Sequence, residues 1–187
     1  MSAQTPLSTR KRAKCLRGVH ESRDAGRSSK TLIKGMEVVG GFDATTATFH
    51  DPHCVRLCLS QPGRLHQQNH CGIYRLDRTN DPSSDTWQRI GRKMPKRVGD
   101  IGLPVVVHPR DADTAWVSPM DGTDVWPRTG PAGRPAAYVA RNAGRTWQRP
   151  DQGLPESQAF WTVKCQAMTA DTQGSPALYL GTTSGEL

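Results

Sequence analysis

The stretch AAYVARNAGRTW, at residues 136–147, decides the fold of this chain. Apolar and polar residues alternate along it, the chain turns around Asn142 and Gly144, and Thr146 and Trp147 follow the turn. An asparagine side chain bonds to backbone groups within a turn, and glycine takes the left-handed conformation without steric cost. A tryptophan ring then closes the base of the hairpin with a large apolar surface. The pattern predicts a β-hairpin anchored by its tryptophan.

The chain repeats this pattern at near-blade length. The sequence TWQR occurs at residues 86–89 and again at 146–149, and the segments 51–91, 103–155 and 160–187 each begin with a short apolar strand, a turn and a second strand. Four short strands per unit, with turn signals every ~8–12 residues, indicate an all-β fold. The repetition predicts a β-propeller of four-stranded antiparallel blades, incomplete with about two to three blades. The Pro- and Gly-rich residues 119–135 are predicted to project from one face as a long loop.

Charge and composition divide the chain into two parts. The net charge is +8, and residues 1–50 hold nine basic but four acidic residues. We therefore expect residues 1–49 to be a basic, poorly ordered arm, with one short strand near residues 36–39, and residues 50–187 to be the partial propeller. Contact of the arm with nucleic acid is a weaker hypothesis, because aromatic residues for base stacking are absent there apart from Phe42 and Phe49.

Cysteines and hydropathy bear on the compartment. The five cysteines are scattered and odd in number, which is not typical of a secreted disulfide framework, so a reducing cytoplasm is expected. No apolar run approaches the ~18 residues that a membrane span requires, so no membrane contact is expected. No cofactor-binding motif stands out, and no cofactor is expected.

The hairpin resembles the Asp-box of bacterial neuraminidase repeats (BNR), S-x-D-x-G-x-T-W, with Asn142, Gly144, Thr146 and Trp147 on its positions and Ala140 in place of the serine. Together with DPHC at 51–54, QQNHCGIYR at 67–75, VVVHPRDADTAWV at 105–117 and YLGTTSGEL at 179–187, it makes the chain similar to BNR-containing, sialidase-like or sortilin-like propellers. The resemblance implies a glycosyl hydrolase of the exo-sialidase type, with the Asp-box as a structural turn away from the active-site face. It also implies a fragment of a longer propeller.

Catalytic residues are not located by any motif. A sialidase-like mechanism, as the resemblance implies it, uses three arginines on a carboxylate and a tyrosine nucleophile. The tyrosines Tyr74, Tyr138 and Tyr179 are each predicted to lie in strands and to belong to the core.

Candidate ligand contacts are His53, Asn69 and His70, which flank the first two strands of their unit and are expected at one end of a blade. The alternative is loop hydrogen bonding without a ligand. A zinc site from Cys54, Cys58, His70 and Cys71 is not expected, because no CxxC pair exists and neighbouring strand residues point to opposite faces.

Two functions follow from these features. One is a partial sialidase-like glycosyl hydrolase, and the alternative is a non-catalytic, sortilin-like module that binds a glycan or a protein.

Overall fold

The computed structural model describes residues 18–38, 50–122 and 128–185. These residues form eleven short strands in four antiparallel sheets and two turns of 3-10 helix. None of their helices is both long enough and apolar enough to span a bilayer. The strands, in chain order, are β1 (His20–Glu21), β2 (Lys30–Thr31), β3 (Pro52–Leu57), β4 (Arg64–Asn69), β5 (Gly72–Asp77), β6 (Gln88–Arg89), β7 (Gly102–Val107), β8 (Ala115–Pro119), β9 (Tyr138–Ala140), β10 (Met168–Ala170) and β11 (Leu178–Leu180).

The first complete sheet is a four-stranded meander, β3-β4-β5-β6, as the repeat pattern predicts for one blade. Its β4–β5 turn is tight because Asn69 pairs with Gly72, whose φ of 140° suits glycine. Inside β3 the pairing with β4 shifts between Pro52 and Cys54, which leaves His53 as the residue of a β-bulge.

The next two sheets repeat the plan in part. Strands β7, β8 and β9 form a three-stranded meander, and Gln148 adds a bridge to Val139 where a fourth strand belongs. Strands β10 and β11 form the hairpin that follows. The all-β prediction and the partial β-propeller are confirmed.

Residues 18–38 differ from the poorly ordered arm that the sequence predicts. Strands β1 and β2 pair as a hairpin, and Trp87 donates its Nε1–H to Leu32 O at 2.9 Å. The predicted strand at 36–39 is wrong for residues 36–38, because Met36 N bonds back to Ile33 O in a turn and its side chain is buried. Val39 lies outside the described residues, as do Phe42 and Phe49.

Three apolar clusters hold successive units together. One joins the 18–38 segment to the first sheet through Met36, Leu65 and Trp87. The second joins the first and second sheets, and the third joins the second sheet to the β10–β11 hairpin. The four-stranded and the three-stranded sheet therefore each bury both faces against a neighbour, as blades do around a propeller axis.

The described part of the 119–135 loop does not project freely, in contrast to the prediction. Gly130 N donates to Trp161 O at 2.8 Å, and Ala159 N donates to Gly133 O at 2.9 Å. These bonds lay the loop against the segment that leads into β10.

Candidate functional site

The turn after β9 fixes one end of the sheets. Asn142 Oδ1 accepts the Thr146 N–H at 3.0 Å, and Asn142 Nδ2 donates to Thr146 Oγ1 at 2.8 Å. Ala143 and Gly144 both take positive φ, 59° and 83°. Trp147 donates its Nε1–H to Ile90 O at 3.2 Å, and so ties the turn to the preceding unit.

An equivalent turn lies between β1 and β2, where the sequence analysis identified none. Asp24 Oδ1 accepts the Ser28 N–H at 2.8 Å, while Ala25 and Gly26 take φ of 58° and 85°. Hydrogen bonds from Ser28, and then from Ser22, lower the pKa of Asp24 to about 2. The signal was present in SRDAGRSS at residues 22–29, which has the motif's serine, aspartate and glycine but lacks the tryptophan.

The opposite end of the first sheet carries the predicted ligand contacts. His53 stands near the start of β3, and Asn69 and His70 stand where β4 ends. His70 N donates to Asp51 O at 3.0 Å, which ties the two strand ends together. Because the chain reverses at each strand, this end is the one remote from the turns at 24–28 and 142–146.

The structure brings His53 and His70 together and adds Asp51. The three side chains place ligand atoms within 4.8 Å of one another. Asp51 Oδ2 lies 3.5 Å from His53 Nε2 and 3.9 Å from His70 Nδ1, and the two imidazole planes are 84° apart. His53 Nδ1 lies 2.6 Å from the backbone oxygen of Gly102, so it carries the proton and leaves Nε2 as an acceptor. Asp51 opens the DPHC stretch at 51–54, but nothing in the sequence marks its carboxylate as a ligand.

Asn69 does not join this group. Its side chain is fully buried, and its Oδ1 accepts the Cys71 N–H at 2.8 Å inside the β4–β5 turn. The side chain of Asn69 therefore shapes the turn that presents His70.

The cysteines also stand apart from the histidines. Cys54 Sγ is directed to Val105 O at 3.7 Å, and Cys58 Sγ lies 3.2 Å from Ser60 Oγ at the far end of β3. Four cysteines in the described residues, Cys54, Cys58, Cys71 and Cys165, form no disulfide.

A second feature is a small pocket of about 120 Å³ that contains three arginines, Arg97, Arg134 and Arg149, together with Tyr138. Burial raises the pKa of Tyr138, while the positive charges of the three arginines act in the opposite direction. Asp151 pairs closely with Arg149 and lies 4.0 Å from Arg134. Asp151 therefore pairs with two of the three guanidinium groups, and three arginines with this one carboxylate leave a net positive charge.

The pocket and the histidine cluster lie at the same end of the sheets. Pro119 lines the pocket and pairs with Gly102 across β7 and β8, and Gly102 is the residue whose carbonyl holds His53. No local pattern in the sequence indicates this pocket, because its arginines are distant in sequence and belong to no motif.

The three tyrosines differ in burial. Tyr74 and Tyr138 are buried, as predicted, but Tyr179 is 49% exposed and donates to Asp171 Oδ2 at 3.2 Å. The core prediction is wrong for Tyr179, because it alternates with Leu178 and Leu180, which pack against the second sheet, and so lies on the other face of β11.

No protein-family model matches the chain, and no curated protein matches it. Among solved structures, it is similar to an ancestral GH74 enzyme with a TM-score of 0.64 at 17% sequence identity. The similarity covers 90% of this chain and 20% of that enzyme, so the chain spans a small part of its length. At this identity the likeness concerns the fold alone: the chain has the architecture of part of a β-propeller.

Proposed function

We propose that this chain forms consecutive blades of a BNR-type, sialidase-like β-propeller that acts on acidic glycans. Two turns of one geometry, at 24–28 and 142–146, support the BNR assignment, because both pair a side-chain oxygen with the N–H four residues later. The fold likeness to a glycoside hydrolase supports the same class.

The arginine pocket is the observation that carries the proposal. Guanidinium groups bind carboxylates by paired, charge-assisted hydrogen bonds, and three of them around about 120 Å³ suit the carboxylate of an acidic sugar. Arg97 is exposed at the rim, which leaves it available to a ligand. Tyr138 supplies a flat apolar wall against which a sugar ring can pack.

The test is hydrolysis of a fluorogenic sialoside by the full chain, with a neutral fluorogenic glucoside as the second substrate. We expect turnover of the sialoside only, and a loss of at least about tenfold in kcat/KM for Arg97→Ala. Lys96→Ala is the matched control, because it removes the same charge from the adjacent residue, which does not line the pocket. Equal activity of the two variants would exclude the pocket as the substrate site.

The alternative is a non-catalytic, sortilin-like module that binds a glycan or a protein. Two observations favour it. Asp151 is already paired with Arg149, and burial raises the pKa of Tyr138. Both effects oppose proton transfer or nucleophilic attack by these side chains. Binding of sialyllactose that is weakened by Arg97→Ala, without any turnover, would select this alternative.

We also propose a reducing, cytoplasmic setting for the chain. It is supported by Cys54, Cys58 and Cys165, which form no disulfide in the described part of the chain.

A further inference from the structure

We propose that Asp51, His53 and His70 form a binding site for a divalent first-row transition metal ion. This site is separate from the arginine pocket and does not depend on the glycan proposal. Two imidazoles and one carboxylate are a donor set that such ions accept, with open positions left for water or another ligand.

The distances suit a common metal position. Ligand atoms about 2.1 Å from a tetrahedral zinc ion are roughly 3.4 Å apart. Asp51 Oδ2 lies 3.5 Å from His53 Nε2, so this pair is already at that spacing. His70 Nδ1 lies 3.9 Å from the same oxygen, a few tenths of an ångström beyond that spacing, and the three ligand atoms all lie within 4.8 Å of one another.

The orientation of His53 is set by its other ring nitrogen. Its Nδ1–H donates to Gly102 O at 2.6 Å, which selects the tautomer with a lone pair on Nε2. Histidine ligands in metal sites are commonly held in this way by a carbonyl or a carboxylate. The bulge between Pro52 and Cys54 turns His53 out of the regular strand alternation and towards Asp51.

The backbone under the site is well fixed. Asp51 and His70 are joined by the hydrogen bond from His70 N to Asp51 O, and Gly102 belongs to the neighbouring sheet. Asp51 and His53 thus lie at the start of the β3–β4 hairpin and His70 at its end. The next blade holds His53 in place through the Gly102 carbonyl. The Asp51 side chain is 46% exposed and that of His70 30%, so an ion can enter from solvent.

Calorimetric titration of the chelator-treated full chain with Zn²⁺, and with Co²⁺ as a spectroscopic probe, tests the site. We expect one ion per chain, and a loss of affinity of at least about tenfold for His53→Ala and for His70→Ala. His20→Ala is the control, because His20 lies in the β1–β2 hairpin and outside the cluster. Circular dichroism of each variant verifies that it folds.

A milder variant guards against misfolding. Asp51→Asn keeps the shape of the side chain and removes its charge, so it should weaken binding of the ion. Asp51→Glu keeps the charge and should recover part of the lost affinity. Bound ion should also raise the Tm of the wild type, and Asp51→Asn should abolish that rise.

Three outcomes would overturn the proposal: no saturable binding to the wild type, equal affinity in the wild type and the histidine variants, or a thiolate-to-cobalt charge-transfer band. The last would assign the ion to Cys54, Cys58 or Cys71.

Discussion

At the scale of single residues, His66 of the first sheet has a strongly shifted pKa. It lies in β4 and is 1% exposed, and burial lowers its pKa from 6.5 to about 4. The positive charges of Arg64 and Arg75 act in the same direction. His66 is therefore neutral in the folded protein at neutral pH.

This pKa difference predicts acid sensitivity. Since the unfolded state binds a proton near pH 6.5 and the folded state only near pH 4, the free energy of unfolding should fall as the pH is lowered between these values. The loss should be on the order of 3 kcal/mol, measured by urea denaturation at several pH values. The free energy of unfolding of His66→Gln, which has no group that titrates at this position, should change much less over the same pH range. A flat profile for the wild type would contradict the prediction.

The histidine cluster shows how much of the candidate site could be predicted from residue types alone. His53 and His70 could be selected from the sequence because they flank the first two strands of one unit. Asp51 could not, because its carboxylate joins them only through the pairing of β3 with β4, in which Pro52 lies opposite Asn69. The same pairing buries Asn69 in the turn, apart from the two histidines.

At the scale of elements, the two equivalent turns differ in what surrounds their glycines. Gly26 and Gly144 take nearly the same φ, 85° and 83°. A Cβ on Gly144 would lie 2.6 Å from Ile90 Cβ, whereas a Cβ on Gly26 would meet no atom of the described chain within 4 Å. One turn packs against the preceding unit and the other is open.

Alanine at the two positions should therefore have unequal effects. Gly26→Ala should cost about 1 kcal/mol, which is the penalty for a left-handed alanine. Gly144→Ala should cost about 1–3 kcal/mol more, because the added methyl group collides with a branched side chain near its backbone. Urea denaturation of both variants measures the difference. Equal losses would mean that the 142–146 turn does not pack on Ile90.

At the scale of the whole molecule, the core lies between sheets. Ile73 of the first sheet and Val105 and Val117 of the second belong to one cluster and are each 1% exposed or less. Neither sheet buries these side chains alone. We therefore expect the two sheets to unfold together.

Hydrogen exchange in rising urea, followed by mass spectrometry of peptides from each sheet, tests this coupling. Peptides from β3–β5 and from β7–β9 should lose protection at the same urea concentration. Ile73→Ala should lower the free energy of opening by about 2–5 kcal/mol in both sheets. Leu57→Ala, in the same sheet but 59% exposed, should change it by no more than about 0.5 kcal/mol. Loss of protection in the first sheet alone would contradict a shared core.

The sequence by itself determined the all-β class, the blade-like repeats and the turn at 142–146, because alternation and turn residues act over a few neighbouring positions. Only the tertiary structure decided that residues 18–38 belong against the first sheet. The turn at 22–29 lacks the tryptophan, and the contact instead comes from Trp87, far along the chain. The arginine pocket and the Asp51–His53–His70 cluster were likewise decided by strand pairing and by sheet packing, which join residues that no local pattern connects.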